Sequence, residues 1–469
     1  MLLLKACLLT RTRAPFLSAA VAFAGADVSA MTWFSLRLRL EPPQDHQHSD
    51  LGHSLALYFL AFGALLLVAV LLDDLAARVR VPGILMVLIL GLLVDNHLTV
   101  ASDAADALPP LLSLVHADQI TQAALVLVLF FGGLTTNWVE MRSVIPSALR
   151  LATFGALFTA LLITLAMLGF GLAEGSAGWV VLFPQALFVG AMLSSTDASA
   201  TFALLRPLAG RLPKPVLDLI ETESGFNDPV AVVLAGVAMA LAGGEGVAPA
   251  ALVTVVLRQF LLGILLGFLG GSLTTQVLGS RRSLNTNSML PVVSLALLMV
   301  LAGGTTLMGG SALLAAYVAG LVLGNGSSTD QLVLAEAHSS FAKMAELLLF
   351  LCMGLVVSPE DVVRAAGGAF LLFLLMQVVR WLIVHFLLLR SSFSLGQRTF
   401  VCCAGLRGAV PIALAIQVWA SSSVSWGKTM PPLALAVVLF GLLFQGFALV
   451  PIANRLGLAS PLEAPLSAP

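Results

Sequence analysis

Residues 213–242 read PKPVLDLIETESGFNDPVAVVLAGVAMALA. The run opens and closes apolar, yet its middle carries Glu221, Glu223, Ser224, Asn227 and Asp228, followed by Pro229. A helix of about 20 residues crosses the hydrocarbon core of a bilayer, so this run is long enough to span one. An ionised side chain at mid-depth costs roughly 2.5–3.5 kcal/mol on insertion scales, so several acids in one such run mark a working site.

The rest of the chain has the same solvent. It has 469 residues, of which 59% are hydrophobic and 10% charged, and its mean hydropathy is +1.02. Soluble domains carry about 25% charged residues, so lipid must cover much of this surface. The net charge of −1 leaves no basic footprint for nucleic acid. Cys7, Cys352, Cys402 and Cys403 fall at no metal-ligand spacing and read as small packed residues. His53, His97, His116, His338 and His385 read as interfacial. With no metal-ligand set and no nucleophile–base pair on the apolar runs, neither a cofactor nor an enzyme is expected.

Thirteen stretches are long and apolar enough, or nearly so, to span a membrane: 54–73, 82–98, 119–136, 146–170, 179–205, 213–242, 250–278, 288–303, 309–324, 340–357, 366–390, 398–419 and 430–453. The loops after the odd-numbered stretches, with the C-terminal tail, hold Arg78, Arg80, Arg142, Arg150, Arg206, Arg211, Lys214, Arg281, Arg282, Lys343, Arg390, Arg398 and Arg455. The other loops hold only Arg364 and Lys428. Thirteen against two in strict alternation places the odd loops in the cytoplasm, the N-terminus outside and the C-terminus inside the cell's cytoplasmic (inner) membrane. Residues 1–50 read as an N-terminal extension or signal-like segment, 51–455 as the transmembrane domain and 456–469 as a short cytoplasmic tail.

The two halves resemble each other. Gly91-Leu92-Leu93 in the second stretch matches Gly320-Leu321-Val322 in the ninth. Gly132-Gly133-Leu134 matches Met353-Gly354-Leu355, and Phe188-Val189 matches Phe400-Val401. The offsets are 229, 221 and 212 residues. An offset of seven helices turns the second half upside down, which is an inverted repeat.

Polar residues also interrupt the fifth and twelfth stretches, as Ser194-Ser195-Thr196-Asp197 and Gly405-Leu406-Arg407-Gly408-Ala409-Val410-Pro411. If both helices unwind there, four half-helix ends meet at mid-membrane. Asp197 would balance the positive N-terminal ends and Arg407 the negative C-terminal ends. A plain Asp197–Arg407 ion pair is the simpler alternative. In the sixth stretch Glu223, Asn227 and Asp228 share a sector, with Ser224 one turn before Asp228. A carboxylate, a hydroxyl and an amide carbonyl, with carbonyls freed at the break, would cage a small hard cation. Helix–helix hydrogen bonding without transport is the other reading. Arg258 and Arg380 also lie within apolar runs. Glu346 reads as interfacial, with a pathway role as the alternative. Gly263, Gly267 and Gly271 have the spacing of a close helix contact, at a dimer interface among other places.

At Thr196-Asp197, Glu223-Ser224-x-x-Asn227-Asp228-Pro229 and Gly405 to Pro411, the chain resembles the monovalent cation:proton antiporters of the NhaP/NHE type. The likeness covers roughly residues 54–455, and the E-S-G-x-N-D-P form is similar to the NhaP-like bacterial branch. The resemblance implies an all-α polytopic fold of about thirteen transmembrane helices, with inverted repeats, two broken crossing helices, a dimerisation part and a mobile six-helix core. It implies a homodimer in membrane lipid that exchanges a monovalent cation, sodium or potassium, for protons. It implies that Asp228 binds cation and proton, with oxygens from Thr196 and Ser224 on the transported ion and Asn227 beside them. Glu223 is expected to pair with Arg407, and Asp197 to balance the crossing. Asn227 in place of a second acid implies electroneutral, one-for-one exchange by alternating access. One departure stands out: the acid common in the family's third helix is absent from Phe130-Phe131-Gly132-Gly133-Leu134. The run after Arg455 is short, so a regulatory C-terminal domain is not expected. The alternatives are a gated cation channel, which would want repeated weak sites, and a non-transporting sensor, which would want no ion cage.

Overall fold

The computed structural model describes residues 47–79, 81–94, 112–173, 179–208, 210–243, 249–279, 289–326, 331–421 and 424–459. Two compact units are distinguished, Met1–Phe62 and Gly63–Pro469. Of the first, the described part is the opening of one helix, and the second holds all the other described helices. The expectations for residues 1–46, for Arg80, Arg281 and Arg282, and for the tail beyond residue 459 lie outside the described residues.

The described residues form helices and short connections. In chain order they are α1 (Gln47–Val79), α2 (Gly83–Val94), α3 (Leu114–Thr135), a single turn α4 (Trp138–Met141), α5 (Ile145–Arg150), α6 (Ala156–Ala173), α7 (Trp179–Met192), α8 (Ala198–Leu205) and α9 (Lys214–Ala242). Then come α10 (Pro249–Gly279), α11 (Met289–Leu307), α12 (Ala312–Gly324), α13 (Gln331–Val356), α14 (Pro359–Leu387), α15 (Leu395–Cys403), α16 (Ala409–Ala420), α17 (Met430–Phe440) and α18 (Gly446–Arg455). One π-turn each, Leu151–Gly155 and Gly441–Gln445, joins α5 to α6 and α17 to α18. Ser113, Ser311 and Ser394 cap α3, α12 and α15 with their hydroxyls, which satisfies backbone donors that a helix start leaves open.

Among the described residues nine helical stretches are long and apolar enough to cross a membrane. Four shorter apolar helices, Gly83–Val94, Leu182–Met192, Ala312–Gly324 and Ala409–Ala420, fall in the second, fifth, ninth and twelfth of the thirteen stretches. The short ones therefore occur in pairs seven stretches apart. Large apolar side chains such as Phe268, Trp381 and Phe386 are exposed, as suits a surface that lipid covers.

The repeat is visible in how glycines interlock. A Cβ on Gly91 of α2 would stand 2.7 Å from the Leu351 carbonyl of α13, and one on Gly354 would stand 2.7 Å from the Gly91 Cα. On α12, a Cβ on Gly320 would collide with the Phe130 carbonyl of α3, and one on Gly133 of α3 would collide with that of Tyr317. So α2 lies on α13 as α12 lies on α3. Gly91 and Gly320, and Gly133 and Gly354, are the residues that the two halves align, and each pair is used crosswise. Only a residue without a side chain allows backbones this close.

One expected close contact finds its place in the structure, and one expectation is corrected. The Gly263, Gly267 and Gly271 face of α10 packs on Leu314, Ala315 and Ala319 of α12, so its close contact is made within the chain. His338 is not interfacial. It is 1% exposed, bonded to Ser294 at 2.7 Å and set edge-on to Phe130. A buried imidazole needs a polar partner, and α11 supplies one.

α7 and α8 are separated by residues 193–197, and α15 and α16 by residues 404–408. Ser194 turns its hydroxyl back onto the Ala191 carbonyl at 2.7 Å, in competition with the helix ladder. Gly408 sits at φ −122°, ψ −128°, outside the helical range. The two breaks meet directly: the Asp197 amide donates to the Leu406 carbonyl at 2.8 Å, and the Thr201 hydroxyl to the Ala404 carbonyl at 2.8 Å. Phe188, Met192, Leu193, Phe350, Phe400 and Ile416 belong to the one large core cluster that surrounds this crossing.

Candidate functional site

Unwinding leaves backbone groups without helix partners inside an apolar core, where each costs free energy unless it is bonded. Charged side chains supply much of that bonding. Asp197 caps α8, its Oδ1 accepting from the Ala200 amide at 3.1 Å. Its carboxylate also lies against Gly408, the residue ahead of α16, where a Cβ would collide with it. Asp197 thus stands at two helix N-termini. Arg407 is 1% exposed and donates from Nε to the Leu193 carbonyl at 3.0 Å and from Nη1 to the Gly405 carbonyl. Those carbonyls follow the C-terminal ends of α7 and α15. Each charge sits where the partial charge of the helix ends has the opposite sign.

Glu223 is bonded to Arg380, not to Arg407. Arg380 of α14 donates from Nη1 to Oε1 at 2.7 Å and from Nη2 to Oε2 at 3.0 Å, and also reaches the Val401 carbonyl. The expected Glu223–Arg407 pair is therefore corrected. Arg407 has Nε and Nη1 committed to backbone carbonyls of the breaks, while Arg380 presents a fork that matches a carboxylate. Gly405 makes room for it, since a Cβ there would collide with the Arg380 guanidinium.

The residues expected to cage a cation divide into two groups. Asn227 donates to the Thr196 hydroxyl at 2.7 Å and accepts from the Thr196 amide at 3.3 Å. The Thr196 and Ser224 hydroxyls are 3.0 Å apart. Asn227, Thr196 and Ser224 thus fasten the first break to α9, and the Asn227 amide is engaged at both ends. Asp228, partly buried, accepts instead from the Ser195 hydroxyl. Ser195 does not stand out in the sequence. It lies in an unwound segment, where no periodicity tells which side chain faces α9.

Asp228, Ser195, Thr196, Asp197 and Glu346 line one cavity of about 40 Å³, room for a water or a partly dehydrated monovalent ion. Its other walls are mostly apolar, among them Leu125, Leu129 and Phe350. Carboxylate and hydroxyl oxygens in an otherwise apolar wall suit a hard cation or a proton.

A family profile described as "Sodium/hydrogen exchanger, transmembrane" matches residues 26–455. The K(+)/H(+) antiporter NhaP of Alkalimonas amylolytica is 29% identical over 87% of this chain and 68% of its own length. The K(+)/H(+) antiporter NhaP2 of Shewanella sp. strain MR-4 is 32% identical over 84% of this chain and 66% of its own. The chain thus spans about two thirds of the length of these curated relatives. The structure of the sodium proton antiporter MjNhaP1 from Methanocaldococcus jannaschii at pH 8 superposes with a TM-score of 0.71, at 19% identity, over 86% of this chain and 99% of that one, which shows a shared fold. With a profile matched along most of its length, this multi-pass, all-helical membrane protein belongs to the sodium/hydrogen exchanger family.

Proposed function

We propose that this protein is a transporter that exchanges a monovalent cation, sodium or potassium, for protons at Asp228 by alternating access, one for one and without net charge movement. The observation that carries this reading is the charge balance at the crossing. Arg380 and Arg407 bring two positive charges, and Glu223 and Asp197 bring two negative ones. Asp228 is a third negative group beside them, while Glu346, which lines the same cavity, is paired with Lys343. With a proton or a monovalent cation on Asp228 the set is neutral, and with neither it carries one uncompensated negative charge. Moving a net charge through a low-dielectric core is costly. The two loaded forms are therefore the ones able to reorient, and a bare carboxylate is held back. Cation and proton compete for one group, which couples their movements.

Related proteins whose names carry K(+)/H(+) and Na(+)/H(+) antiport support the substrate class. Thr196, Ser224 and Asn227 hold the break in place beside Asp228, and Ser195 bonds to Asp228 itself. The basic residues of the odd loops support a cytoplasmic C-terminus and an outside N-terminus in the cytoplasmic membrane. A homodimer completes the proposal, as the family likeness implies.

The test is the full chain in proteoliposomes containing a pH-sensitive dye. A sodium or potassium gradient should drive proton movement in the opposite direction. The rate should not change when the membrane potential is clamped with potassium and valinomycin across a sodium gradient. Cation-driven proton movement whose rate follows the potential would rule out one-for-one exchange.

A further inference from the structure

We propose that Glu346 is a second cation-binding carboxylate, a staging group between solvent and Asp228, and that Lys343 is a tethered cation held against it until a free cation takes its place. The proposal rests on the exchange reading above and goes beyond it. Glu346 lines the same cavity as Asp228. It lies on α13, which contributes Leu349 and Phe350 to the same lining, while α3 contributes the uncharged Leu125, Val128 and Leu129. Its side chain is 16% exposed, while that of Lys343, one turn earlier, is 41% exposed. Exposure therefore rises along α13 from Glu346, at the cavity, to Lys343, the direction in which an access route would run.

Lys343 binds two carboxylates. Its Nζ is 3.2 Å from Glu346 Oε2 and 3.1 Å from Asp73 Oδ1 of α1. The Asp73 carboxylate in turn is packed against Gly83 at the start of α2, an N-terminal end that favours a negative charge. Asp73 is therefore a resting place for the ammonium. When Lys343 leaves Glu346 it keeps a partner, so the exchange of one cation for another at Glu346 strands no charge. Lys343 also lines a separate outer groove with Ser339 and Ser340, so the ion pair stands between that groove and the inner cavity. A carboxylate on this route raises the local concentration of cations, and an ammonium on the same carboxylate competes with them.

A purely structural ion pair and a staging group with a built-in competitor respond differently to neutralisation. In the first case both partners are needed, and Glu346→Gln and Lys343→Met act in the same direction. In the second they act in opposite directions. The experiment measures the apparent KM for sodium and for potassium, and the rate at saturating cation, in proteoliposomes of the full chain. Glu346→Gln should raise the KM about five-fold, the effect of losing a partly screened charge beside the ion. The saturating rate should fall by less than that. Glu346→Asp, which keeps the charge, should restore most of the KM. Lys343→Met should lower the KM, because the competitor is gone. An unchanged KM in Glu346→Gln, or a KM that rises in Lys343→Met, overturns the staging role while wild-type exchange leaves the functional reading intact. A wild-type protein without any cation-coupled proton movement overturns both. If Glu346→Gln does not fold, the direction of the KM change in Lys343→Met decides.

Discussion

Arg380 holds Glu223 through both ends of its guanidinium, at 2.7 Å and 3.0 Å, and both side chains are buried. The bond ties α14 to α9 beside the crossing. Removing one partner leaves a lone charge in the core, a loss of roughly 3–5 kcal/mol. Glu223→Ala and Arg380→Ala should each lower the unfolding temperature in detergent. The double replacement Glu223→Met with Arg380→Met should recover much of that loss, because no charge is stranded. In a double-mutant cycle Glu223 should couple more strongly to Arg380 than to Arg407. The reverse ranking would sink the assignment.

Some of this could be read in the chain and some could not, for physical reasons. A fold of many membrane-spanning helices follows from apolar stretches that match the thickness of a bilayer, and the breaks at Ser194 to Asp197 and Gly405 to Gly408 from residues that weaken a helix. Gly91, Gly133, Gly320 and Gly354 were legible as a repeat because close backbone approach requires glycine. The partner of Glu223 was not legible. Arg380 and Arg407 both lie in apolar runs, and which one reaches α9 depends on helix packing angles that sequence spacing does not carry. Ser195 was missed because an unwound segment has no period. His338 was misplaced because its partner Ser294 lies 44 positions away on another helix.

Gly408 and Gly405 are the narrowest points of the crossing. A Cβ at 408 would run into the Asp197 carboxylate, and one at 405 into the Arg380 guanidinium. Neither charge can move far, since each already bonds groups that would otherwise be stranded. Gly408→Ala should therefore abolish most exchange and lower the unfolding temperature. At Gly367, where nothing lies within reach of a Cβ, the same replacement should leave exchange intact and stabilise the helix by up to about 1 kcal/mol, because Ala is the better helix former. Equal effects at the two positions, measured by thermal unfolding and by transport, would mean that the crossing is looser than these contacts imply.

The direction of insertion can be checked at the two ends of α14. Glu360 and Arg390 are both exposed and flank a helix long enough to cross the membrane. In a background without Cys7 and Cys403, cysteine at 390 should react with a membrane-impermeant reagent only from the cytoplasmic side. Cysteine at 360 should react only from outside. Labelling of both from one side would remove the basis for the loop assignment.

Asp228 carries the functional claim, and its test joins acidity, binding and stability. A carboxylate that bonds Ser195 and faces a cavity can hold a proton or a cation, but not both. Apparent cation affinity should therefore weaken as the pH falls, and saturating cation should overcome the inhibition by acid. The same competition should appear without transport. A ligand that binds only the folded protein stabilises it by about 1.4 kcal/mol at ten times its dissociation constant, so sodium or potassium should raise the unfolding temperature at alkaline pH and lose that effect on acidification. Asp228→Asn keeps the size and an oxygen for the Ser195 hydroxyl but cannot ionise. It should fold, insert and show neither exchange nor cation-dependent stabilisation. If a folded Asp228→Asn protein still coupled cations to protons, the shared group would have to be another carboxylate, with Glu223 and Asp197 the next to replace.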